Sequence, residues 1–171
     1  AVRPEYLVEC VNTEGLGAFL NATQNYPLLK GQQSNLYKCF LPVAWRVGCR
    51  VQGLLHPEGI YDDPRAGELR AAVYGRLRAH FQFINEYRLF AEVHNLTTYS
   101  INIYDKPQQE PRFRTIANLF IPATIDACLE HPGGGATPGI KRDGGGWNVT
   151  GHANRVVVVD YELLATFVRL Y

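Results

Sequence analysis

The hydrophobic pattern from Gln33 to Asp105 changes period several times, and the rest of the chain reads as an addition to that stretch. Ser34 fits a helix N-cap, and Leu36, Tyr37, Phe40, Leu41, Ala44 and Trp45 follow at helical spacing. This predicts a helix with a wide apolar stripe packed on a sheet, kinked or cut short by Pro42 and stopped at Gly48. Val51–Leu55 is a short apolar run closed by His56-Pro57-Glu58-Gly59, which predicts a strand buried in a parallel sheet with its C-terminal end at that turn. Beyond the acidic loop at Asp62, Asp63 and Pro64, a second helix is expected over Gly67–His80, with Leu69, Ala72, Val73, Leu77 and His80 inward. Phe81–Phe90 alternates loosely between aromatic and polar residues and contains a strand. Thr98–Tyr104 (TYSINIY) is a strand by propensity, which leaves Ala91–Thr97 as a hairpin loop at the sheet edge. Helix, strand, helix, strand, strand is the later half of an α/β sheet ending in an antiparallel hairpin.

The flanks are less regular. Residues 1–32 read as a poorly patterned arm, in which Leu7–Val11 is a short strand or a helix end. Phe19, Leu20, Tyr26, Leu28 and Leu29 are anchors for that arm. The pair Gly15 and Gly17 lacks both a preceding apolar strand and a third glycine, so it reads as a turn and not as a phosphate cradle. After the polar KPQQEP segment, Ile116–Ile121 is apolar and Ala123–Glu130 is expected to be a short helix following Pro122. HPGGGATPGIKRDGGGWN is too rich in glycine and proline for regular structure and reads as a loop, ordered or mobile. Arg155–Asp160 (RVVVVD) is a predicted strand and Tyr161–Tyr171 a helix with Leu163, Leu164, Phe167 and Leu170 on one side.

Composition narrows the function classes. With 46% apolar and 19% charged residues the chain is globular, and a net charge of +1 supplies no overall field to draw nucleic acid or a membrane surface. No apolar run nears the roughly 18 residues that span a bilayer, so a cytoplasmic location without a membrane partner is expected. The absence of methionine, including at Ala1, implies processing or excision from a longer chain. Cys10, Cys39, Cys49 and Cys128 form no C-x-x-C pair and read as reduced thiols. The even count, together with N-x-[ST] triplets at Asn21, Asn95 and Asn148, leaves open a secreted glycoprotein with two disulfides.

Taken together, NLYKCFLPVAW, GLLHPEGIYDD, LRAAVYGRLRAHF and the pair FAEVHN…SINIYD resemble the C-terminal half of the catalytic domain of adenine-specific DNA methyltransferases. The fit is to the large single-chain enzymes of type II restriction and BREX phage-exclusion systems. There a helix beginning Asn-Leu-Tyr precedes a strand ending in proline, a helix beginning Leu-Arg follows, and a β-hairpin closes the sheet. TIANLFIPATIDACLEH, KRDGGGWN and DYELLATFVRLY resemble the continuation of the same enzymes, so the likeness is clearest from about Tyr26 onward. It carried no single diagnostic motif; order and spacing carry it.

The resemblance implies a Rossmann-like methyltransferase core at 33–105, preceded by the arm at 1–32 and followed by a glycine-rich linker and strand-helix extension at 106–171. It also implies S-adenosylmethionine as the parent enzyme's cofactor and DNA as its partner. The cofactor glycine turn and the Asn-Pro-Pro-Tyr/Phe/Trp tetrapeptide that polarises the target amine are absent from the chain. The expectation is therefore a fragment, inactive alone and binding no cofactor alone, whose missing N-terminal half lies in a longer chain or a partner. The target base must leave the duplex to be methylated. His94, with Phe90 as its competitor, occupies the place of the family's base-stacking aromatic. His56 and Glu58 fall where open α/β sheets form ligand pockets, although a turn histidine satisfied by backbone groups explains the same pattern. Arg65, Arg70, Arg76 and Arg78 could contact phosphates or form a solvated face. Asp62 and Asp63 suit helix capping better than metal binding, which this chemistry does not need. A non-catalytic interaction module completed by another chain is the remaining alternative.

Overall fold

The computed structural model describes residues 3–33, 35–48 and 50–170 as a mixed α/β fold with one five-stranded sheet and several helices. The chain divides into two compact units, Ala1–Cys49 with Ile60–Ala72, and Arg50–Gly59 with Val73–Tyr171. The predicted Ser34 cap and Cys49 fall outside the described residues.

In the first unit, α1 runs from Pro4 to Asn21, with proline in the first turn, where its missing N–H costs nothing. None of its residues is buried, which is why no hydrophobic period marks it. The arm is thus helical over Pro4–Asn21, where only a short strand or a helix end at Leu7–Val11 was expected, and Gly15 and Gly17 sit mid-helix instead of forming a turn. Helix α2 spans Leu36–Val47, with the Asn35 side chain accepting from the Tyr37 N–H at 3.3 Å. It continues through Pro42 and closes with the Gly48 N–H donating to the Ala44 carbonyl. Its buried residues are Lys38, Cys39 and Leu41, whereas Leu36 and Phe40 are exposed, so the stripe is rotated from the expected one. Lys38 reaches Asp63 at 2.6 Å.

The second unit holds strands β1 (Gln52–Pro57), β2 (Leu77–Ile84), β3 (Thr98–Tyr104), β4 (Arg112–Leu119) and β5 (Val157–Asp160) in the order β1-β3-β2-β4-β5. β3 pairs antiparallel with both β1 and β2, β4 runs parallel to β2, and β5 is antiparallel to β4. Two expectations are corrected. β1 is an antiparallel edge strand with alternating exposure, not a strand buried in a parallel sheet. The β2–β3 hairpin is not terminal either, because β4 adds to the free edge of β2.

The two short helices α3 (Gly59–Asp62) and α4 (Gly67–Arg76) follow β1 and precede β2 in the sequence. α4 ends four residues before the expected His80, because Leu77 onward pairs with β3. Val73, Leu77 and Phe81 recur at helical spacing, whereas Leu77, Ala79, Phe81 and Phe83 alternate at strand spacing, and pairing with β3 decides between them. On one sheet face Phe83, Tyr99, Ile116 and Leu119 form a core with Cys128 of α5 (Ala123–Leu129), flanked by Phe81, Ile101, Ile125 and Val156. The glycine-rich segment is shaped, not shapeless. Lys141 and Trp147 form an antiparallel bridge, Gly145 and Gly146 turn it at positive φ, and Trp147 stacks on Phe120 at 4.7 Å. Helix α6 (Tyr161–Leu170) follows β5, with the Asp160 carboxylate accepting from the Leu163 N–H.

Candidate functional site

The sheet face opposite the α5 core is polar. Register pairs His56 with Ser100 and Gln82 with Ser100, and pairs His80 with both Asn102 and Thr115, so these side chains form two adjacent rows across β1, β3, β2 and β4. Glu58, one residue past β1 and only 5% exposed, is the hub. Its two oxygens each lie 3.2 Å from His80 Nε2, and Gln82 Nε2 donates to Oε2 at 3.0 Å. Because a carboxylate only accepts, His80 Nε2 must carry the proton, while His80 Nδ1 meets Thr115 Oγ1 at 2.9 Å. Ser100 also bonds to Glu58 and accepts from Asn102 Nδ2 at 2.7 Å, which links β3 to the hub. Burial alone would raise the Glu58 carboxyl. The bonds from His80, Ser100 and Gln82, with the charge of His80, outweigh burial and hold it below the ordinary carboxylate value.

His56 is fixed beside this hub. Its Nδ1 faces the Pro57 carbonyl at 2.9 Å and must donate, so Nε2 of the neutral ring accepts from the Tyr104 hydroxyl at 2.9 Å. Burial pushes its pKa below the ordinary histidine value, against the Pro57 bond and the Glu58 charge. Both His56 and Glu58 are therefore occupied by protein partners. Glu58 accepts from three side chains, and such a carboxylate ties the end of β1 to β2 and β3 instead of acting as a general base. Among the described residues no group of histidine, cysteine, aspartate and glutamate has a metal-binding arrangement.

The second feature at this end of the sheet is the loop between β2 and β3. Tyr99 pairs with Pro57 across β1 and β3, and Phe90 packs edge-on against Tyr99, centroids 5.0 Å apart. Phe90 is 40% exposed. His94 lies exposed further along, its Nδ1 accepting from the Leu96 N–H at 3.2 Å. The structure thus packs Phe90 on Tyr99, on the α5 side of the sheet and not on the polar face that holds His56 and Glu58, and places His94 in the same loop.

The four arginines are not brought together on one helix face. Arg65 is exposed in the turn before α4. Arg70 donates to the carbonyls of Ile60, Tyr61 and Asp63. Arg76 ends α4, and Arg78 belongs to β2, where it donates to the carbonyls of Arg76, Leu77 and Lys106. Asp63 caps the turn at Arg65 and pairs with Lys38, instead of capping α4.

Sequence reasoning missed His80, Gln82, Ser100, Asn102 and Thr115 as one network, and Asn85 and Tyr99 as supports of the loop. The alternation of Ser100 and Asn102 within TYSINIY, and of His80 and Gln82 within RAHFQF, was the available signal of a polar sheet face. Compared with protein-family models and with curated proteins, the sequence finds no match.

Proposed function

We propose that the chain is the later half of the Rossmann-like catalytic domain of an S-adenosylmethionine-dependent, adenine-specific DNA methyltransferase of a restriction-modification or phage-defence system. The observation that carries the reading is the arrangement around β3. A helix capped at Asn35 leads to a strand that ends at Pro57. Residues 58–76, with Leu69-Arg70 in α4, then lead to a β2–β3 hairpin. Because β3 is antiparallel to both neighbours, β1 and β2 run the same way and their connection is a crossover. That element order supports the sequence resemblance, and Phe90 of the hairpin loop packs edge-on against Tyr99 of β3.

In this reading Phe90 stacks on the extruded adenine and His94 lies within reach of it, while His56 and Glu58 hold the sheet end in shape. Exposed Arg65 is the candidate phosphate contact; Arg70 and Arg78 are engaged by carbonyls. β1 is an edge of the sheet, with Val51 beside it and Leu55 within it exposed. This edge is where the strands of the missing half would add. The residues present do not fit the cofactor: Gly15 and Gly17 are built into α1, where backbone N–H groups are committed to helical bonds. The chain is therefore completed by another segment or chain, which brings S-adenosylmethionine and the amine-binding tetrapeptide. Against the secreted alternative, the described cysteines, Cys10, Cys39 and Cys128, are free thiols.

The coding sequence directly upstream of Ala1 tests this without purification. Cofactor glycines and an Asn-Pro-Pro-aromatic motif are expected there or in a neighbouring reading frame. Calorimetry of the chain alone with S-adenosylmethionine should give no binding, and a micromolar or tighter complex would contradict the reading.

A further inference from the structure

We infer that Asn85 is the positioning residue of the base-contacting loop, fixing Phe90 before any ligand arrives. Its functional consequence rests on the methyltransferase reading above; its structural part does not. Asn85 has no accessible surface, and all its polar groups face the loop that it opens. Its backbone N–H donates to the Thr97 carbonyl at 3.1 Å, and its carbonyl accepts from the Arg88 N–H at 2.7 Å. The side chain does the rest: Oδ1 accepts from the Phe90 N–H at 3.1 Å, and Nδ2 donates to the carbonyls of Phe90 and Val93, each at 2.9 Å.

Few side chains can replace it. The site needs one acceptor and two donors at the reach of a short amide, and asparagine supplies that set. Aspartate would keep the acceptor but place a carboxylate oxygen against two carbonyls. Alanine would leave a buried N–H and two carbonyls without these bonds. The loop also holds Arg88 at φ 50°, a left-handed conformation that a non-glycine residue adopts only when its surroundings impose it.

The result is a preformed platform. Phe90 is gripped at both its N–H and its carbonyl, its ring leans edge-on against Tyr99, and part of the ring remains open to solvent. Leu89 and Val93 are exposed beside it in the loop. An exposed ring with apolar neighbours suits the flat face of a purine. Holding it in place beforehand removes an ordering cost from the step that receives the extruded base.

Two measurements test this. In the chain alone, hydrogen exchange of the Phe90 amide should accelerate at least tenfold in Asn85→Asp and Asn85→Ala, while amides of β1 and β3 stay protected. Unchanged Phe90 exchange would overturn the clamp. The same variants are then placed in the chain joined to the segment encoded upstream, with a duplex oligonucleotide as substrate. Single-turnover methyl transfer should fall at least tenfold with S-adenosylmethionine affinity unchanged. Phe90→Ala should reproduce that loss without altering the exchange of β1 and β3. Faster Phe90 exchange with unaltered transfer in the Asn85 variants, or unaltered transfer in Phe90→Ala, would overturn the positioning role. If the unsubstituted joined protein transfers no methyl group, the methyltransferase reading fails, and the exchange experiment still decides whether Asn85 sets the loop.

Discussion

Glu58 shows how much one residue can organise in this unit. It accepts hydrogen bonds from His80 and Gln82 of β2 and from Ser100 of β3, at the point where β1 ends. Replacing it by glutamine places an amide NH₂ where every neighbour already donates, and should cost about 2 kcal/mol, read from chemical denaturation at pH 7. Acid should act on the same cluster in two stages. The folded-state pKa of His56 is lowered, so the unfolded chain binds its proton first, and stability falls as pH drops below about 6.5. The folded-state pKa of Glu58 is also lowered, so its contribution is present above about 4.3 and is lost as pH falls further. Denaturation midpoints from pH 8 to 3 should show both stages, and His56→Gln should flatten the first. Tyr99 poses the opposite case: its hydroxyl is buried without a hydrogen-bond partner. Tyr99→Phe should therefore raise stability by about 1 kcal/mol, and a lower denaturation midpoint would show that the hydroxyl has a role in the fold. Little of this was legible in the sequence. His56 and Glu58 stand out at the end of an apolar run, but nothing local reveals that Glu58 meets His80, 22 residues away. Such contacts follow from strand register, which no single segment encodes.

At the level of elements, legibility followed the strength of local signals. β3, α5 and α6 have β-branched or helix-period patterns and lie close to where the pattern puts them. α1 was missed because no residue of it is buried and so no stripe appears. The α4–β2 boundary was misplaced because its apolar positions fit both periods, and cross-strand pairing with β3 wins. Gly151 is another case in which an element depends on a contact distant in sequence. A Cβ there would lie 2.5 Å from the Ala127 Cβ and 2.6 Å from the Ala127 carbonyl oxygen, so α5 sits directly on its backbone. The neighbouring bonds, from Thr124 Oγ1 to the Val149 carbonyl and from the His152 N–H to Cys128 Sγ, fix the same approach. Gly151→Ala should destabilise the protein by about 2–3 kcal/mol, measured by thermal or chemical unfolding; a change within about 0.5 kcal/mol would mean that the loop simply moves aside.

For the molecule as a whole, the mixed α/β class was readable from element order, whereas strand order was not. The sequence pattern placed β1 inside a parallel sheet because its apolar run is nearly continuous; the structure leaves it at an edge with exposed Leu55. An edge of this kind is open to another strand, and the methyltransferase reading says what belongs there. The direct test joins the chain to the segment encoded immediately upstream of Ala1 and measures transfer of a labelled methyl group from S-adenosylmethionine to duplex DNA. The account predicts N6-methyladenine with the joined protein and none with the chain alone. A folded joined protein that leaves adenine unmodified across a mixture of duplex sequences, or methyl transfer by the chain alone, would contradict it.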